Sequence, residues 1–232
     1  MSLPVPGVNV WTQRDISRFK PLLFLLCLYP LGRWIWLGYT GGLGVNPPEF
    51  LIRSTGIWAL VVLLLTLAVT PVRRLVHQPA LVTLRRMLGL FAFFYTVLHV
   101  AGWAWWEANG SLSMMLNDIL DRTFILLGAL AVVPMTLLAI TSTRGWIRRL
   151  GRNWQRLHQT VYAVAVLSVW HFWLLRTGKN DVLEPYIYGL VLAVLLLFRL
   201  VWRFTAVPSG SPVSGHRPGR RGAPDGSASG KR

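Results

Sequence analysis

Six stretches of about twenty mostly apolar residues decide what this chain can fold into, because that is the helix length needed to cross the hydrocarbon core of a bilayer. They run from Lys20 to Tyr39, Pro48 to Val72, Leu84 to Trp106, Arg122 to Thr141, Asn153 to Leu175 and Pro185 to Phe204. Backbone in lipid must satisfy its own polar groups, so each run is predicted to be a helix. Composition agrees: 53% of the 232 residues are hydrophobic and 14% are charged, the latter well under the ~25% of a soluble domain. The expected fold is all-α, a polytopic six-helix membrane bundle over residues 20–204. A polar segment (1–19) precedes it, and a basic Pro/Gly/Ser-rich tail (205–232) follows, composed like a disordered segment. Pro21 suits a first helical turn, Pro30 should kink the first helix, and Trp34, Trp36, Tyr39 and the WAWW run ending at Trp106 suit an interface. No internal repeat stands out.

A net charge of +16 can point to nucleic acid, but its distribution points to membrane topology instead. Eighteen Lys and Arg fall in the N-terminal segment, the second-to-third and fourth-to-fifth loops and the C-terminal region, against three (Arg122, Arg176 and Lys179) on the alternate side. The positive-inside rule then places both termini in the cytoplasm, which an even number of helices requires. Cys27 is the only cysteine, which excludes an internal disulfide, a Cys-ligated iron–sulfur cluster and cysteine zinc sites. No C-x-x-C-H motif is present, so a haem would be held non-covalently. The first 20 residues do not read as a cleavable signal.

Histidines inside such helices call for a reason, because an intramembrane polar group is costly. At ~1.5 Å per residue, His99 lies ~20 Å beyond Arg86, at the basic end of its helix, and His171 lies ~22 Å beyond Arg156 on a helix running the same way. The two should be level, in the outer half of the membrane. Two level imidazoles can clamp a planar iron porphyrin from both faces, an arrangement suited to electron transfer. The aromatic residues of FAFFY and WHFW would wall such a site. Packing histidines or a proton relay are the competing readings. A relay usually adds Asp or Glu within the helices, and here the acidic residues lie at helix ends or outside. His158 sits ~20 Å from His171 toward the basic end, and 13 residues turn an ideal helix through ~140° from superposition. The same step back from His99 reaches Arg86 rather than a histidine. His77 lies in a loop and His216 in the tail.

Three blocks, TLAVTPVRR, RRMLGLFAFFYTVLH and TSTRGWIRRLGRNWQRLHQTVYAVAVLSVWHFWLL, resemble the MsrQ family of haem-binding membrane subunits, within the ferric-reductase-like group that includes NADPH oxidases. The likeness covers about Asn46 to Phe204. It implies a multi-pass protein of the bacterial cytoplasmic (inner) membrane carrying haem b and FMN. It also implies a periplasmic partner, the MsrP-like molybdopterin reductase that repairs methionine sulfoxide in proteins. The family's haem-associated histidines fall on His99, His158 and His171. NADPH oxidases stack two haems between four histidines. Arg86 breaks that pattern and leaves a second haem open.

No G-x-G-x-x-G dinucleotide motif is present, so the electron donor is expected to be external, a cytoplasmic flavin reductase or quinol. No catalytic residue is expected in this chain. An inner carrier is expected between the donor and an outer haem. For FMN, Arg144, Arg148 and Arg149 could meet the phosphate, and Trp146 and Trp154 could stack the ring. An Arg-rich loop is equally explained by topology. The alternatives are a free-standing ferric or quinone reductase and a proton-relay transporter.

Overall fold

The computed structural model describes residues 11–178 and 181–205. The expected tail, with His216, and Lys179 on the connection before the last helix lie outside the described residues. Among the described residues there are helices and no strands. The long helices are α1 (Gln13–Tyr39), α2 (Pro47–Leu75), α3 (Leu84–Gly102), α5 (Thr123–Ile140), α8 (Val161–Thr177) and α9 (Leu183–Thr205), with short helices α4 (Leu112–Asp121), α6 (Arg144–Leu150) and α7 (Arg152–Gln159) between them. Six segments are long and apolar enough to cross a membrane, α7 and α8 together making the fifth.

The boundaries differ from the hydropathy reading where local chemistry overrides it. α1 begins at Gln13 rather than Lys20, because Thr12 and Asp15 form a reciprocal capping box at its start. That pairing satisfies two otherwise orphaned amides. Pro21 therefore lies inside the helix, not in its first turn. The WAWW run closes the third span, which ends at Glu107, but it does so as a π-helical turn over Trp103–Glu107 and not as α-helix. The fifth span is not one ideal helix, since α7 and α8 meet at Thr160. At that junction the Thr160 amide bonds the Leu157 carbonyl three residues back, a tighter turn than the ideal helix for which His158 and His171 stand ~140° apart. α4 and α6 were not expected: their caps, Ser111 and Thr143, accept bonds from the Met114 and Trp146 amides.

α2 is the central helix. Half of its most apolar window is buried, against 6% for α9. α9 instead turns Leu190, Val194, Leu197 and Val201 outward, an apolar face that suits lipid and not water. The most extensive helix pairs are α2 with α3 and α5 with α8. Polar groups bind the bundle at few points. Tyr95 of α3 donates to the Cys27 carbonyl of α1 at 2.5 Å. Arg199 of α9 donates to Tyr162 of α8 and, at 2.7 Å, to the Leu67 carbonyl of α2. Bonds of this kind between membrane helices contribute about 1 kcal/mol each. The Trp11 amide donates to Gln78 at 2.7 Å, which brings the start of α1 beside the loop after α2. At the other end of the bundle, Arg176 pairs with Asp181 at 2.8 Å and with Glu184.

Candidate functional site

His99 on α3 and His171 on α8 meet across the bundle. Their ring centroids lie 6.1 Å apart and the ring planes are inclined at 80°. Each ring is held by the helix beside it. His99 Nδ1 lies 2.8 Å from the Ile52 carbonyl of α2, and His171 Nδ1 lies 2.5 Å from the Phe124 carbonyl of α5. A carbonyl can only accept, so each Nδ1 carries the proton and each Nε2 presents its lone pair. That is the support given to a metal-binding imidazole, whose other nitrogen donates and so fixes tautomer and ring angle.

Each ring also lies against a glycine. A Cβ on Gly56 would stand 3.0 Å from His99 Cε1 and Nδ1, and one on Gly128 would stand 3.0 Å from His171 Nδ1. Ordinary van der Waals contact begins near 3.5 Å, so neither position has room for a side chain unless the ring moves.

These two supports are copies of one another. Ile52 to Phe124, Gly56 to Gly128 and His99 to His171 are each steps of 72, and each histidine is 47 residues from its carbonyl. Thr96 and Ser168, also 72 apart, both return their hydroxyls to the carbonyl four residues earlier. The α2–α3 hairpin and the α5–α8 pair are thus a structural repeat that the sequence did not reveal. Ile52, Gly56, Phe124 and Gly128 were missed because two act through backbone and two through the lack of a side chain. A search for glycine and histidine pairs at one common spacing would have found them.

Under the same step His158 corresponds to Arg86. Its environment is different. Its Nδ1 lies 3.1 Å from the Trp154 carbonyl of its own helix, and its ring stacks on the Trp154 indole at 3.9 Å. His158 Nε2 is buried and has no hydrogen-bond partner among the described residues. Of the residues expected near FMN, Trp154 also donates its Nε1 to the Thr141 carbonyl at 2.9 Å. Arg149 lies over the Trp146 ring at 5.7 Å, and Arg144, Arg148 and Arg149 are exposed on α6. Each indole thus has a partner on one face, His158 on Trp154 and Arg149 on Trp146.

Two imidazoles bound on opposite sides of one metal, each at about 2.0–2.1 Å, bring their ring centres roughly 6 Å apart. The His99–His171 separation meets that requirement. Among the described residues no group of three or more His, Cys, Asp or Glu could hold a metal ion.

Comparison with known proteins agrees. Residues 55–169 match the family described as ferric reductase like transmembrane component. The chain is 54% identical to the protein-methionine-sulfoxide reductase heme-binding subunit MsrQ of Bordetella pertussis over 194 residues, 83% of this chain and 94% of that one. It is 43% identical to the MsrQ of Herminiimonas arsenicoxydans, over 87% of this chain and 93% of that one. The chain belongs to the MsrQ family. For Ralstonia nicotianae MsrQ the identity is 45%, over 88% and 95% of the two chains. No solved structure matches. Family membership makes this a multi-pass membrane protein with a ferric-reductase-like core, and Gly56 and Gly128 both lie within the matched residues 55–169.

Proposed function

We propose that this chain carries electrons across the membrane through a haem b that His99 and His171 would hold. The reading rests on the paired imidazoles, 6.1 Å apart with each Nδ1 on a carbonyl of a neighbouring helix. A bound iron porphyrin would supply one-electron redox chemistry. The chain's own residues fix the imidazole tautomer through the two carbonyls and the ring orientation through the two glycines.

The electrons pass to an MsrP-like molybdopterin reductase in the periplasm, where oxidised methionines are repaired. They come from a cytoplasmic flavin reductase or from quinol. The membrane is the bacterial inner membrane, and both termini face the cytoplasm. His158 serves the inner side of this path: its unpartnered Nε2 can hydrogen-bond or protonate an inner carrier. An FMN met by Arg144, Arg148 and Arg149 and stacked on Trp146 or Trp154 would be one such carrier. The relay reading is disfavoured because both Nδ1 atoms are committed to backbone carbonyls.

An absorption spectrum of the purified protein separates the haem readings from a proton transporter, since only haem gives a Soret band and a sharp reduced α-band. A free-standing ferric or quinone reductase would share that spectrum but would turn over without the periplasmic reductase. Reporter fusions test the orientation: those at Gly151 should be cytoplasmic and those at Gly110 periplasmic. The reverse result at both sites would overturn the assigned depth of the site.

A further inference from the structure

Three arginines in the described spans lie half-buried or deeper among the helices outside the basic loops, and two have partners. Arg176 is held by Asp181 and Glu184. Arg199 is held by Tyr162 and the Leu67 carbonyl. Arg53 of α2 is half-buried and makes no hydrogen bond or ion pair with any described residue. A cation within a span normally marks a binding site, and its partner has to be found.

Its position indicates the partner. Arg53 directly follows Ile52, whose carbonyl accepts from His99 at 2.8 Å. It precedes by three residues Gly56, on which the His99 ring lies. Residues three apart are neighbours on a helix surface, here about 4.5 Å apart along the axis. Helical side chains lean toward the helix N-terminus, so Arg53 covers the turn beyond His99, away from the basic loops. The equivalent position in the second half of the repeat is Ile125, 9% exposed, so that half offers no cation there.

We propose that Arg53 binds a propionate carboxylate of the haem held by His99 and His171. This rests on the axial-ligand assignment above. A guanidinium meets a carboxylate with two parallel charge-assisted hydrogen bonds. It would also neutralise one of the two negative charges that haem b brings into the low-dielectric bundle. Two other anions compete for the assignment. One is a lipid phosphate reached by extending the side chain to the interface. The other is Glu49, four residues earlier, whose carboxylate accepts from Asn46 at 3.2 Å.

The test uses the full-length chain in lipid nanodiscs, with haem extracted and then titrated back as haem b or as haem b dimethyl ester, which lacks the propionate charges. Arg53→Gln should bind haem b about ten- to a hundredfold more weakly, the range for losing a hydrogen bond to a charged group. It should bind the dimethyl ester as the wild type does, and Arg53→Lys should fall between. The ferric/ferrous midpoint of Arg53→Gln should also move down, because a cation near the haem favours the reduced state. Equal weakening for both haems, or for neither, overturns the proposal and returns Arg53 to the lipid, to Glu49 or to packing. Failure of the axial assignment reads out separately: His99→Ala and His171→Ala would then take up haem b with the wild-type spectrum, whatever Arg53→Gln does.

Discussion

The internal repeat pairs His99 with His171 at one level of the bundle and Arg86 with His158 at the other, yet only the first pair is held from neighbouring helices. At the His99–His171 level each ring is gripped from a neighbouring helix by a carbonyl and backed by a glycine on that helix. At the other level His158 bonds and stacks within its own helix, through Trp154, and its counterpart is Arg86. The difference is support from outside the helix that carries the histidine, because that support fixes the ring while leaving Nε2 free.

The largest expected effect breaks the first level outright. His99→Ala or His171→Ala should each abolish haem binding, since each is one of the two imidazoles that would hold the iron. Haem content and the low-spin spectrum of the purified variants check this, and full occupancy with a normal spectrum in either one would reassign that ligand.

A smaller effect tests the cradles. Gly56→Ala and Gly128→Ala each place a methyl about 3.0 Å from a ring atom. Overpacking of this kind costs about 1–3 kcal/mol, so haem retention should fall by about ten- to a hundredfold while the helical fold persists by circular dichroism. Because the cradles are equivalent, the two losses should be similar. A loss at one glycine with none at the other would show that the repeat is geometric and not functional.

The smallest effect concerns the second level. His158→Ala should leave the His99–His171 haem spectrum intact yet slow haem reduction by the cytoplasmic donor. Haem content and reduction rate measured together decide among three roles. Loss of half the haem would assign His158 to a second haem and make the levels alike after all. An unchanged rate with unchanged haem would reduce it to a packing partner of Trp154.

The sequence by itself determined the six spans, because hydropathy over twenty residues is a local property and lipid leaves helix as the available backbone conformation. It also determined that His99 and His171 are level, since the rise of a helix is constant and the arginines mark its end. The Thr12–Asp15 cap was legible too, but a boundary drawn on hydropathy passes over a polar first turn. What only the tertiary structure decided is everything that depends on one helix meeting another. The acceptors for both histidines are the backbone carbonyls of Ile52 and Phe124, and a carbonyl is the same whatever residue bears it. Gly56 and Gly128 matter through the space they leave, which acquires meaning only when a ring from a helix 43 residues away fills it. Arg53 stands out only once Arg176 and Arg199 are seen with partners, which are set by how α2, α8 and α9 pack and not by their order along the chain.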